Sequence, residues 1–244
     1  MLTVTLLVSV VGYRCYRRTL IIDTVLSNGY ELSYEPPEWV WDVLGEDAYM
    51  VLCQFEKIEI YESDPAEISL IVELDSPALV LHNTRLTVEG AKVLARRSAL
   101  RELSLDYDSF GQAELEFQIS ESELKELVKS TSIEYLSFHF YDLPKSSFRQ
   151  ITKMQSLEKL DLAGSVIEDP DFRELVTLPN LRALRVEGDL TDQDLWEIGQ
   201  LPHLKWLSIG TTQFSDEALN EFRKLHSDCQ IQSGREFSVY EFWD

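Results

Sequence analysis

The sequence predicts a single α/β solenoid, and three observations predict it. The first is a recurring strand pattern. LxxLxL stands at Leu157, Leu160 and Leu162, at Leu181, Leu184 and Val186, and at Leu204, Leu207 and Ile209, with central leucines 24 and then 23 residues apart. Copies centred on Leu136 and Leu103 lie 24 residues before Leu160 and 33 residues before Leu136. Weaker copies are centred on Leu79 and Ile58, which makes about seven units in all. The second observation is an apolar pair spaced by three residues in every unit, one stripe of a short helix. The pairs are Ile68/Ile71, Ala91/Leu94, Leu124/Leu127, Phe148/Ile151, Phe172/Leu175, Leu195/Ile198 and Leu219/Phe222. The third is punctuation. Thr87, Ser120, Asp169, Thr191 and Ser215 fall where a helix needs an N-cap, Pro170 suits a first helical position, and Ser120 with Glu123 has capping-box spacing. Leu86, Ile119, Leu190 and Phe214 precede caps, in the position of a hydrophobic staple.

A six-residue strand and a three-turn helix cannot bury a core alone, so the units must stack in parallel, each roofing the next. A parallel strand-helix-strand crossover is right-handed, which makes the stack a right-handed β-α superhelix with short convex helices and a concave sheet. Thr84, Ser165 and Thr212, five residues past a central leucine, place hydroxyls where the chain leaves the strand. The 33-residue unit holds an extra segment at 110–119 that alternates apolar and polar residues, which suits either a convex strand or a protruding loop.

Composition sets the outer bounds. A chain of 244 residues, 44% hydrophobic and 27% charged, supports a sizeable core without staples. The net charge of -21 repels phosphate backbones and argues against a nucleic-acid partner. Cys15, Cys53 and Cys229 form no CxxC pair, so they read as buried thiols rather than a disulfide framework or zinc ribbon.

Residues 1–13 carry no charged side chain and are followed by Arg14, Arg17 and Arg18. Thirteen helical residues span roughly 20 Å of a hydrocarbon core about 30 Å thick, so the run is marginal as a membrane anchor. The alternative is an apolar element covering one end of the fold. With an anchor the protein is membrane-associated through residues 1–18, the arginines holding the rest on the cytoplasmic side; without one it is cytoplasmic.

The repeats LEKLDLAGSVIEDPDFRELVTLPN and LKWLSIGTTQFSDEALNEFRKLHS resemble the leucine-rich-repeat proteins of planctomycete-type bacteria, a resemblance covering roughly residues 55–232. The segment 17–52 is similar to the leader those proteins carry: a helix over 19–26, a turn at Asn28 and Gly29, a strand over 30–34, Pro36 and Pro37, then a helix over 39–52. The resemblance implies an N-terminal transmembrane anchor. It divides the chain into an anchor-like segment (1–18), a helix-strand-helix cap (19–54), the repeats (55–232) and a tail (233–244). Trp39 and Trp41 are expected over the first unit, and the aromatic tail (Phe237, Tyr240, Phe242, Trp243) over the last.

Chemistry-bearing motifs do not appear. The sequence has no GxSxG, GxxxxGK, HExxH or GxGxxG, so it nominates no catalytic residue, cofactor or metal site. His226 and Cys229 fit a closing turn better than a thiolate pair, and Asp189, Asp192 and Asp194 lack the glycine and glutamate of a calcium loop. What remains is the concave sheet, reading as a noncatalytic surface for a protein partner on a monomeric scaffold. Its candidate anchors are Trp206, Arg185 and Tyr135, then His139, His82 and Tyr61, because aromatic and arginine side chains dominate protein interfaces.

Overall fold

The computed structural model describes residues 2–33, 55–62, 68, 72–107, 118–167, 170–210 and 214–232. Trp39, Trp41, Cys53, Asp169, Thr212, the helix expected over 39–52, most of the 110–119 segment and the tail lie outside the described residues.

One mixed α/β core carries a nine-stranded sheet among the described residues. It begins with β1 (Glu31–Ser33), antiparallel to β2 (Lys57–Tyr61). From β2 onward every pairing is parallel and follows chain order, through β3 (Ala78–His82), β4 (Glu102–Asp106) and β5 (Tyr135–His139). A short β6 (Asp142–Leu143) leaves the large sheet, which resumes at β7 (Lys159–Leu162). β8 (Val166–Ile167) pairs with β6, and the large sheet ends with β9 (Ala183–Val186), β10 (Trp206–Ser208) and β11 (Gln230–Gln232). The central residues of the sequence motif stand in one line: Ile58, Leu79, Leu103, Leu136, Leu160, Leu184, Leu207 and Ile231 pair neighbour to neighbour. Alternation along each strand sends them all to one face, into a single continuous core.

The other half of each unit roofs that core. α2 (Val88–Ala95), α3 (Glu121–Leu127), α4 (Ser147–Ile151), a 3-10 turn (Phe172–Thr177), α5 (Asp192–Ile198) and α6 (Asp216–Leu225) follow successive strands. Their apolar pairs join the core, with Leu219 only partly covered. All but α6 are shorter than the three turns expected. The 3-10 turn stops early because Pro179 holds Leu178 in extended geometry. Capping at Thr87, Ser120, Thr191 and Ser215 matches the sequence, with a reciprocal capping box at Ser120/Glu123. The exception is the 3-10 turn. Its cap is Asp171, whose carboxylate accepts from the Arg173 N–H, so Pro170 precedes the cap instead of occupying the first helical position.

The hydroxyl turns are present at Thr84, which donates to the His82 carbonyl, and at Ser165, which donates to Phe138 and accepts from the Tyr141 N–H. The irregular unit re-enters at Gln118, which bridges to Asp142, while Ile119 is buried.

The N-terminal helix runs farther than the segment 19–26. α1 (Leu2–Ser27) is one helix of 26 residues, closed by Gly29 in left-handed geometry, with Tyr30 donating to Val25 and Gly29 to Leu26. Ile21, Ile22 and Val25 are buried in the main core, so this end of α1 covers the first unit. Arg17 makes a two-pronged pair with Glu73 at 2.6 Å, and the Arg18 guanidinium sits 5.0 Å above the Phe55 ring. Two of the three arginines that read as membrane-flanking are therefore engaged by the protein itself. Among the described residues no helix is long and apolar enough to cross a membrane.

Candidate functional site

The sheet has a second face, opposite the helices, formed by the residues between the core positions. Register arranges them in three rows across the strands. The first row is Lys57, Ala78, Glu102, Tyr135, Lys159, Ala183 and Trp206. The second is Glu59, Val80, Ser104, Ser137, Asp161, Arg185 and Ser208. The third begins Tyr61, His82, Asp106 and His139.

Basic side chains and carboxylates alternate along these rows in a continuous ladder. Lys57 reaches Glu59 at 2.7 Å, and Glu59 meets His82 Nε2 at 3.3 Å. The other nitrogen of His82 faces Asp106 at 3.7 Å, and Asp106 also faces His139 Nδ1 at 3.3 Å. His139 Nε2 lies 3.1 Å from Asp161, which is 3.5 Å from Arg185, which in turn holds Glu187 at 2.8 Å. Asp161 is the hub. Its side chain is only 4% exposed, and it accepts from the Ala163 N–H at 3.0 Å and from the Tyr135 hydroxyl at 3.5 Å.

Titration behaviour follows from this geometry. Burial alone would lower the His139 pKa, but Asp161 and Asp106 outweigh it and hold the imidazole above its ordinary value. Burial acts to raise Glu59, and Lys57, Tyr61 and His82 together overcome it and keep that carboxyl below its usual range. Tyr61 stacks on His82 with ring centres 4.5 Å apart; burial and its hydrogen bond to Glu59 push the phenol up to about 12. Glu102 runs the other way. Burial raises its pKa, opposed by Lys159 and Lys57 and aided by Glu134.

All six nominated residues lie on this face, but they do different things. Tyr61, His82 and His139 keep accessible surface, with Tyr61 39% exposed. Tyr135 and Trp206 pack down with Ala183 into a small cluster of their own, at 6% and 9% exposure. Arg185 is tied to Asp161 and Glu187 with 11% of its side chain exposed. Tyr135, Trp206 and Arg185 therefore present less surface than Tyr61, His82 and His139, with small Ala183 leaving room for the two aromatic rings to lie flat. His82 and His139, in nonadjacent units, are joined through Asp106, which the sequence reading did not nominate. Among the described residues no group of histidine, cysteine and carboxylates has the arrangement of a metal site.

The closing turn is structural. His226 stacks on Phe222 and donates to the Gly199 carbonyl at 2.7 Å, while burial pushes the Cys229 thiol up to about 11, far from thiolate chemistry. Cys15 and Cys229 are half-buried free thiols. Asp192 accepts from the Ser215 N–H, and Asp194 closes the Thr191 cap.

The fold and face together define a stacked β-α repeat protein in which, among the described residues, one sheet face carries no helix. No protein-family model matches the chain, and no curated protein matches it. Among solved structures it is similar to a leucine-rich-repeat protein of Leptospira interrogans, at 19% identity and TM-score 0.37 over 71% of this chain and 58% of that one. It is also similar to an internalin of Listeria monocytogenes, at 16% identity and TM-score 0.39 over 73% of this chain and 58% of that one. The chain thus spans 58% of the length of each. The repeat architecture stands on the register line and continuous core of the chain itself.

Proposed function

We propose that the chain is a leucine-rich-repeat solenoid of about seven units over residues 55–232, acting as a noncatalytic protein-binding module through the concave face of its sheet. Residues 19–54 and 233–244 serve as its caps. The observation that carries the reading is the outer sheet face: among the described residues helices cover the core side only, while Tyr61, His82 and His139 keep accessible surface on the other. Aromatic and imidazole groups held by a rigid ladder suit recognition, since little ordering cost remains at contact. A photo-crosslinking residue at Tyr61 should capture a defined partner from native-host extract, while the same residue at Trp196 on α5 should not. Equal capture from both positions, or capture from Trp196 alone, contradicts the reading.

A second reading, membrane tethering, draws on the uncharged stretch 2–13, which lies in the same helix as the docked residues. Fractionation of the full chain, with and without residues 2–13, tests it. Membrane residence that depends on that stretch supports tethering; an identical distribution of both forms rejects it.

A further inference from the structure

The two halves of the outer face differ in relief. Along the first two rows three of the four side chains on β3 and β4 are small, Ala78, Val80 and Ser104 beside Glu102, while the flanking strands carry Lys57 and Tyr61 on β2 and Tyr135 and His139 on β5. Small residues between tall ones leave a pit of about 110 Å³, with an apolar floor of Ala78, Leu79 and Val80. Three carboxylates line it, Glu59, Glu102 and Asp106, against Lys57 and the imidazoles of His82 and His139.

Two of those carboxylates are spoken for. Glu59 is held by Lys57, Tyr61 and His82, and Asp106 by Ser104, His82 and His139. Glu102 is not. Among the described residues its carboxylate has no hydrogen-bond or ion-pair partner, although burial already disfavours its charged form. Lys159 and Lys57 attract this carboxylate without contacting it, and a half-buried anion lacking a direct partner is kept most readily where a ligand completes it.

We propose that this pit receives a lysine side chain from an extended segment of a protein partner. Its methylene stem lies along Ala78 and Val80 beside the Tyr135 ring, and its ammonium pairs with Glu102. Lysine fits better than arginine because the pit is small and its apolar floor suits a slender methylene stem that ends in a compact ammonium. The proposal rests on the reading of the sheet face as the partner-binding surface and gives that partner a chemistry.

The test uses the full chain and hexalysine as probe at physiological salt, with Nε-acetylated hexalysine as the neutral control. The variants Glu102→Gln and Glu221→Gln remove the same charge from a chain of net charge -21, one in the pit and one on the exposed face of α6. Bulk attraction therefore falls equally in both. Glu102→Gln should weaken hexalysine binding about tenfold while Glu221→Gln changes it less than about twofold. Melting of Glu102→Gln at or above the wild-type temperature shows that the loss is not unfolding. Equal weakening by both variants, or undiminished binding by Glu102→Gln, overturns the lysine pit. Because crosslinking at Tyr61 is scored separately, that outcome leaves the broader reading standing for an uncharged or acidic partner.

Discussion

The face over β2 to β5 and the face over β5 to β10 have the same backbone and the same outward rows, yet one is open and the other is packed shut. Over β3 and β4, Ala78, Val80 and Ser104 leave a charged pit. Farther along, Tyr135, Ala183 and Trp206 close on one another, and Arg185 is drawn down onto Asp161. Position in the repeat decides which way a side chain points. Its neighbours in the row decide whether anything can reach it.

Breaking the packed half should cost stability. Asp161→Ala removes a nearly buried carboxylate shared by His139, Arg185 and Tyr135 and should destabilise by about 3–5 kcal/mol in chemical denaturation, since it takes away the buried charge that His139 and Arg185 both face. Trp206→Ala should cost about 3 kcal/mol by the same measurement, through lost packing on Tyr135 and Ala183. Gly164→Ala comes next, at about 1–2 kcal/mol. Gly164 has φ +66°, and an added methyl would run into the Phe140 ring lying over it.

The smallest effect is a pH profile that joins the two halves. His139 is held above its ordinary value of 6.5, so the stabilisation it supplies is complete below that value and fades as pH rises through the higher folded-state pKa. His139→Gln should flatten the part of the stability curve that falls as pH rises above 6.5 while leaving the acid limb, where carboxylates such as Glu59 protonate, in place. An unchanged slope in that window would show that the ladder does not bind the His139 proton.

The register line was legible in the sequence because the same few residue types recur at one period, so an error in any single unit is corrected by the others. The caps were legible for the same reason, and Ser120 with Glu123 needed only local chemistry. The face was legible too, but not its relief. Burial of Trp206 depends on Ala183 in the next strand and Tyr135 beyond it, a relation that spans 71 residues of sequence and only a few strands of sheet. The ladder hid for a similar reason: Asp106 reads as one acid among 43 Asp and Glu until register sets it between His82 and His139. Phe140, in left-handed geometry at φ 57°, carries no local signal of that conformation, since aromatic residues rarely adopt it.

The division of labour between the two halves is tested most directly by measuring denaturation and hexalysine affinity on Glu102→Gln and Trp206→Ala side by side. The account predicts a crossed result: Glu102→Gln keeps its stability and loses about tenfold in affinity, while Trp206→Ala loses about 3 kcal/mol and, below its unfolding transition, binds as the wild type does. Affinity lost in Trp206→Ala and kept in Glu102→Gln would contradict it.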